Sequence, residues 1–229
     1  GTISISNGAT VEFSPGSIKT ADGNSYSGTV HVASKWMDPS LAATLDQMPG
    51  NLQGVNMQIE QMALATYGMI AVELEGDAGE SLNIADGNTA KITMPVPTSM
   101  VNAAPAEIPL WSYHKELGVW IEESTATLQG DKYVGDVTHF SFWNCDIPMD
   151  YVNLEMTLVD DNGNPLNNYL VVLTVSGVPE TTSGSGYTDQ DGNVSGFIPA
   201  NVILTMDVLD ACGDVISTQD IGPFATDTN

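Results

Sequence analysis

Three histidines, His31, His114 and His139, and two cysteines, Cys145 and Cys212, are the chemically versatile side chains of this 229-residue sequence. No two histidines stand at i, i+4, and no H-E-x-x-H occurs. A zinc site would need two to four converging ligands. His114 and His139 flank one tryptophan-rich stretch and would have to meet in space to supply them. The plain alternative is imidazoles on strands and turns, hydrogen-bonded or solvated. Cys145 follows His139 by six positions, ~20 Å along an extended strand, too far for a nucleophile beside its base. Neither a G-x-S-x-G elbow nor a glycine-rich phosphate loop is present.

Carboxylates are the abundant chemistry. Glu122-Glu123 beside Trp111 and Trp120 has the residue types of a glycosidase site with an aromatic sugar platform. Neighbours on a strand point to opposite faces, so the two acids should not flank one bond. Asp160, Asp161 and Asn162, and then Asp189, Asp191 and Asn193, place hard oxygens in two turns, which makes calcium the one ion to expect. Neither turn has EF-hand spacing, and ordinary hairpin chemistry accounts for Asp and Asn there. No other cofactor is implied. Phe140 and Phe142 should share one face of a strand, with Ser141 and Trp143 on the other. One face then packs in a core, or the aromatics form a carbohydrate or peptide platform.

The elements that must hold these residues are read from composition and period. The chain has 5 Lys, no Arg and 29 acids, a formal charge of -24. That excludes a basic face for nucleic acid, electrostatic docking on an anionic membrane, and any guanidinium clamp. Self-repulsion on this scale suits a soluble, salt-tolerant exported protein. The apolar runs, such as Tyr169 to Leu173, are strand-sized, far below the ~18 residues of a membrane-spanning helix.

Alternation at period two marks strands at Thr10–Phe13, Gly28–Ala33, Leu154–Leu158 and Leu204–Val208. Asp22-Gly23, Asn51, Asp86-Gly87, Asn162-Gly163 and Asp191-Gly192 mark turns. Asp38-Pro39 caps a short helix carrying Leu41, Leu45 and Met48 and stopped by Pro49-Gly50. Asp146 to Asp150 interrupts the strand pattern, and the stretch from Thr181 to Gly186 reads as a flexible hairpin loop. The expectation is an all-β chain of two tandem β-sandwich domains, 2–147 with the one short helix and 150–229.

The blocks Pro109-Leu110-Trp111-Ser112-Tyr113, Gly118 to Glu123, and Tyr133 to Asp146 with His139-Phe140-Ser141-Phe142-Trp143-Asn144-Cys145-Asp146 form a signature. Gly8-Ala9-Thr10-Val11 and Asp38 to Gly50 fit it upstream. Together they resemble the cartilage intermediate layer protein family and bacterial secreted or lipoprotein-type relatives. The second part is similar to carboxypeptidase regulatory-like domains of the transthyretin type. There the carrying residues are Val159 to Leu166 and Gly186-Tyr187-Thr188-Asp189-Gln190-Asp191-Gly192-Asn193.

These resemblances imply a non-enzymatic module for adhesion, scaffolding or ligand presentation, with a protein or glycan partner. They also imply an extracellular, periplasmic or outer-surface location, with an export signal or lipid anchor upstream of Gly1. A carbohydrate-binding module and an unrecognised hydrolase are the alternatives. In an exported chain two cysteines usually pair. A Cys145–Cys212 bridge would tie the second domain to the end of the first, worth roughly 4 kcal/mol on the chain-entropy model.

Overall fold

The computed structural model describes residues 1–41, 44, 47–176 and 182–228, the side chains of 182 and 183 excepted. The alternating runs become strands β1 (Thr2–Ser4), β2 (Thr10–Phe13), β3 (Ile18–Thr20), β4 (His31–Met37), β5 (Gln53–Val55) and β6 (Gln61–Glu75). They continue as β7 (Ser81–Ile84), β8 (Ala90–Pro95), β9 (Glu107–His114), β10 (Val119–Gln129), β11 (Lys132–Val137) and β12 (Phe142–Met149). All twelve belong to one sheet.

Two strands organise that sheet by changing partners along their length. β6, 15 residues long, pairs β5 and then β4 on one side, and β12 and then β7 on the other. β10, 11 residues long, pairs β9 on one side, and β5 and then β11 on the other. Because β5 bonds both β6 and β10, the strands β5, β6, β12, β9 and β10 close into a ring. The rest of the sheet leaves the ring as two wings, β11-β8-β2-β1 and β4 with β7-β3.

Each enclosure has its own apolar filling. Leu64, Met69, Trp111 and Trp120 pack together at the ring. Gly54 on β5 must lack a side chain, since a Cβ there would come within 2.7 Å of the Trp111 ring. Tyr67, Ile70, Ile92, Leu110, Tyr133, Trp143 and Cys145 pack in the larger core between the wings. At 25 cal/mol per Å², each large side chain buried here contributes about 1.5–3 kcal/mol before conformational entropy is charged against it.

β12 serves both enclosures, which explains why its signature residues are so particular. Trp143, Asn144, Cys145 and Asp146 are all fully buried. Trp143 and Cys145 face the wing core. Asn144 is opposite both Met69 and Trp111. The expected break in the strand pattern at Asp146 to Asp150 is absent up to Met149, where β12 ends. A strand buried on both faces shows no alternation. Phe140 precedes β12 and packs with Trp143, whereas Phe142 packs toward Trp111 and Trp120. The expected pairing of Phe140 with Phe142 on one face therefore fails, because residues 138–141 are not in a strand.

The remaining strands are β13 (Tyr151–Thr157), β14 (Leu170–Val175), β15 (Thr182–Tyr187), β16 (Asn193–Pro199), β17 (Leu204–Leu209) and β18 (Val215–Ile221). They form a two-stranded sheet, β13-β16, and a four-stranded sheet, β15-β14-β17-β18. Val152, Leu154, Val171, Leu173, Ile198 and Met206 fill the space between these sheets. The segment expected to be a flexible loop before Gly186 is β15 from Thr182 onward. The tail returns to β13, where Glu155 N donates to Thr228 O at 2.9 Å and Thr228 N to Asn153 O at 2.9 Å.

Of the expected helix after Asp38, residues 42, 43, 45 and 46 lie outside the described ones. At its ends, Asp38 Oδ1 accepts from Ser40 N at 3.0 Å, and Met48 N donates to Thr44 O at 3.0 Å.

One tight turn recurs six times among the described residues. In 20–24, 56–60, 76–80, 160–164, 189–193 and 210–214, the first N–H donates to the fifth C=O, and the fourth N–H to the first C=O. The fourth residue has positive φ and is Gly23, Gly79, Gly163, Gly192 or Gly213 in five cases, and Ile59 (φ 66°) in the other. A β-branched residue in that region costs about 1–2 kcal/mol. The other non-glycine residues with positive φ are Asn7, Asn168 and Asn201, a type that tolerates it.

Candidate functional site

At the mouth of the ring the outer face of β4 and β6 lies open. A groove of about 1170 Å³ runs over it, bounded by β7, by residues 113–116 and by residues 139–142. Half-buried Tyr113 and Phe142 stand where the ring filling gives way to the groove. Tyr113 is packed edge-on to Trp120, with ring centroids 5.3 Å apart. All three histidines of the chain line the groove, with Lys35 and Lys115.

The placement of the cations is selective. Lys19 is ion-paired with Asp86 at 2.5 Å and Lys91 with Asp136 at 3.0 Å. In the groove, Lys35 donates to the neutral Gln47 side chain. Lys115 has no hydrogen bond or ion pair among the described residues. Glu73, Glu75 and Glu116 line the same groove, so it offers both signs of charge beside two aromatic rings. Barrel mouths of this kind are common ligand sites.

Two carboxylate–imidazole pairs are built around the groove. His31 Nε2 lies 2.9 Å from Asp77 Oδ1, and this hydrogen bond, with one from Thr29 N, lowers the Asp77 pKa. His139 Nε2 lies 3.0 Å and 3.2 Å from the two oxygens of Glu123, which also accepts from Ser112 Oγ. Burial pushes the Glu123 carboxyl up. The hydrogen bonds from His139 and Ser112, with the charges of His139 and His114, outweigh it and bring it below its ordinary value. His139 also lies over Trp143, ring centroids 5.0 Å apart.

This is not a nucleophile with its base. The Ser112 hydroxyl donates directly to the carboxylate, so no imidazole is placed to take its proton. Nor do Glu122 and Glu123 flank a common point. The β9–β10 register shifts between Glu122 and Ser124, so Glu123 is the extra residue of a β-bulge. Glu122 Oε2 instead accepts from Met57 N at 3.2 Å.

A buried polar network links β6 and β12. Thr66 Oγ1 donates to Asn144 Oδ1 at 2.7 Å, and Asn144 Nδ2 donates to Asp146 Oδ2 at 2.7 Å. Trp111 Nε1 donates to the Asp146 carbonyl at 3.1 Å. Asp146 Oδ1 is buried without a partner. Burial drives the Asp146 pKa well above normal, against the lowering effect of Thr66, so its charged form is disfavoured there.

Other expected sites fare differently. Trp111, Trp120 and Trp143 are fully buried, which removes the proposed tryptophan sugar platform. Their indole N–H groups are spent on backbone carbonyls of Asp146, Asn51 and His139. Cys145 and Cys212 are free thiols, not a disulfide. Cys145 points into the wing core, whereas Cys212 is exposed in the β17–β18 turn. A strand-end position that seemed to face the second group of strands is therefore enclosed in the first.

Asp160 Oδ1 accepts from Asn162 N and Asn164 N at 2.9 and 2.8 Å, and Asp189 Oδ1 from Asp191 N and Asn193 N at 2.9 and 2.8 Å. These two turns are neighbours, joined where Leu158 N donates to Gly192 O. Asp161 and Asp191 are exposed, as is Asn162. Among the described residues no group of three or more His, Cys, Asp or Glu is arranged to hold a metal. The turn Asp210-Ala211-Cys212-Gly213 is a third of this kind, with Asp210 Oδ1 accepting from Cys212 N and Asp214 N.

Known proteins resemble part of the chain. Human cartilage intermediate layer protein 2 is 30% identical over 119 residues, 50% of this chain and 10% of that protein. Pig cartilage intermediate layer protein 1 is 29% identical over 106 residues, 44% of this chain and 17% of that protein. The mouse form of protein 2 is 29% identical over 112 residues, 48% of this chain and 9% of that protein. The chain thus spans a small fraction of the curated relatives it matches. No family model matches it, and no solved structure does. No described helix is long and apolar enough to cross a membrane.

Proposed function

We propose that this chain is a non-enzymatic binding module of an exported or cell-surface protein, used for adhesion, scaffolding or ligand presentation through the groove at the ring mouth. The observation that carries the reading is the gathering of all three histidines and two of the 5 lysines into one groove of an otherwise acidic molecule. A mixed-charge groove beside Tyr113 and Phe142 suits a protein or glycan surface with both polar and apolar parts. Relatives named for the intermediate layer of cartilage support an extracellular setting. The engagement of Glu123 by both Ser112 and His139 supports a binding role over catalysis. The reading includes two tandem units, 2–147 and 150–229, the second acting as an accessory sandwich of the carboxypeptidase regulatory-like kind.

The test is binding of the whole chain to arrays of immobilised glycans and extracellular matrix proteins, beside the double variant Lys35→Glu, Lys115→Glu. Both side chains are exposed, so the variant should keep its circular dichroism spectrum and melting temperature. A bound species should lose roughly tenfold in affinity with the variant, about the effect of one to two charge contacts. Equal binding by both proteins, or no bound species on either array, would refute the groove as the site.

A further inference from the structure

We propose that the side chains of Thr66 and Asn144 join as an intramolecular ester, a covalent clasp between β6 and β12. The pairing of the two strands sets up the contact. Asn144 is opposite Met69 and Asp146 is opposite Thr66, so β6 carries one extra residue over this stretch. Gly68, with φ 146°, lies in that bulge, which brings Thr66 within reach of both polar side chains of β12.

A nucleophile, an acyl group and a carboxylic acid meet there. Thr66 Oγ1 lies 2.7 Å from Asn144 Oδ1, on one side of the amide. Asp146 Oδ2 lies 2.7 Å from Asn144 Nδ2, on the other. A hydrogen bond from Thr66 also reaches the Asp146 carboxyl, opposing the effect of burial. Gly68 N donates to Thr66 Oγ1 at 3.3 Å, which leaves that oxygen a second lone pair. Thr66 is 3% exposed, and Asn144 and Asp146 are 0% exposed, so water that would hydrolyse an ester is kept out. Among the described residues the Asn144 and Asp146 side chains satisfy no backbone group, and Asp146 Oδ1 is buried with no partner. A buried network left incomplete is costly to the fold, and a reaction at this point gives it a use.

The chemistry balances without a co-reactant. Thr66 Oγ1 attacks Asn144 Cγ, and the Oγ1–Cγ bond forms. The Cγ–Nδ2 bond breaks and its electron pair leaves with nitrogen. Asp146, in the neutral form that burial favours, gives its proton to Nδ2 and takes the proton of Thr66. The products are one ester and one ammonia. The Thr66 proton is engaged by the amide oxygen, and an amide nitrogen leaves poorly. The reaction is therefore slow, and the freshly folded chain is the unlinked, hydrogen-bonded one. The clasp joins residues 78 positions apart and is independent of what the groove binds.

The test is mass spectrometry of the full chain, freshly folded and after weeks at neutral pH. The intact mass should fall by one ammonia. A digest should then contain the Thr66 peptide joined to the Asn144 peptide, separable by hydroxylamine. The linked protein should melt higher by roughly 10 °C, as for any cross-link that closes a loop of this length. Thr66→Val should lose no ammonia at this site, and Thr66→Ser, which keeps the hydroxyl, should link. Asp146→Asn should link roughly a hundredfold more slowly. A constant mass over weeks, ammonia lost without joined peptides, or joined peptides in Thr66→Val would each overturn the proposal. Linking at the parent rate in Asp146→Asn would remove Asp146 from the reaction.

Discussion

Residues 1–149 hold 17 acids and all five lysines, and residues 150–229 hold 12 acids and no lysine, arginine or histidine. The two regions therefore carry equal net charge over very different lengths, and they accommodate it differently. In the first, Asp86, Asp136, Asp77 and Glu123 meet cations or imidazoles, and Asp146 is buried where its charged form is disfavoured. In the second, neutral donors do all the work. Asp160, Asp189 and Asp210 accept from the N–H groups of their own turns, Asp227 from Asn153 N, and Asp207 and Asp220 from threonine hydroxyls. A chain poor in lysine can satisfy carboxylates without ion pairs, provided each acid starts a turn or faces a hydroxyl.

The sharpest way to break the contrast is to empty the ring. Trp111→Ala should cost about 3–5 kcal/mol, as expected for a fully buried tryptophan. Hydrogen exchange should then accelerate across residues 1–149 while the amides of β13 to β18 keep their protection. Equal loss in both regions would mean that the two do not stand apart energetically.

Asp146→Asn probes the buried acid. The folded pKa of Asp146 is raised, so below pH ~4 the carboxyl is protonated in both folded and unfolded chains and carries no penalty. As pH rises, the unfolded chain ionises and the folded chain resists, so the penalty grows up to the folded pKa. The variant should be more stable than the parent by ~1–3 kcal/mol at pH 7 and no more stable at pH 3. Urea titrations at the two pH values check this. A variant less stable at pH 7 would show that Asp146 is needed as an acid donor.

Salt distinguishes charge density from specific ion binding. Melting temperature should rise from low to moderate NaCl as self-repulsion is screened over ~8–10 Å. Calcium chloride at matched ionic strength should give the same rise, since the Asp160 and Asp189 carboxylates are occupied by their own turns. A larger rise with calcium would restore the turn acids as ligands.

The smallest effect is at those turns. Asp160 is held below its normal pKa mainly by Asn164, and Asp189 mainly by Asn193. Their contribution is present above the unfolded pKa of ~3.9 and is lost as pH falls through the folded value. The double variant Asp160→Asn, Asp189→Asn should melt slightly lower at pH 7 and lose less on acidification. The sign is opposite to that of Asp146 and the same as that of Asp77 and Glu123, so acid should weaken these turns while relieving Asp146. Equal losses on acidification by the parent and the double variant would remove the turn acids as a cause.

Period-two alternation located β2, β13 and β17 from sequence, because each is buried on one face only. β12 was misread at its end because both its faces are buried. The bulge at Glu123 and the register shift between Asn144 and Asp146 leave no mark in composition, yet they decide where Glu123 and the Asn144–Asp146 pair point. The groove was not legible at all. His31, His114 and His139 meet there because β6 changes neighbours midway, a property of pairing between distant segments. The Trp111, Trp120 and Trp143 rings looked like a platform because a sequence shows aromatic content, not which side of a closed ring it occupies.

The return of the tail to β13 has a mechanical consequence. Thr228 and Leu154 form a parallel bridge, flanked by the two backbone hydrogen bonds between Thr228 and residues 153 and 155. Tension applied across residues 150–228 draws parallel neighbours in opposite directions along their length. The bonds are then loaded together in shear, where an antiparallel tail would let them open one at a time like a zipper. A pulling experiment should therefore find resistance at the first few ångströms of extension, before the β13–β16 and β14–β17 ladders bear load.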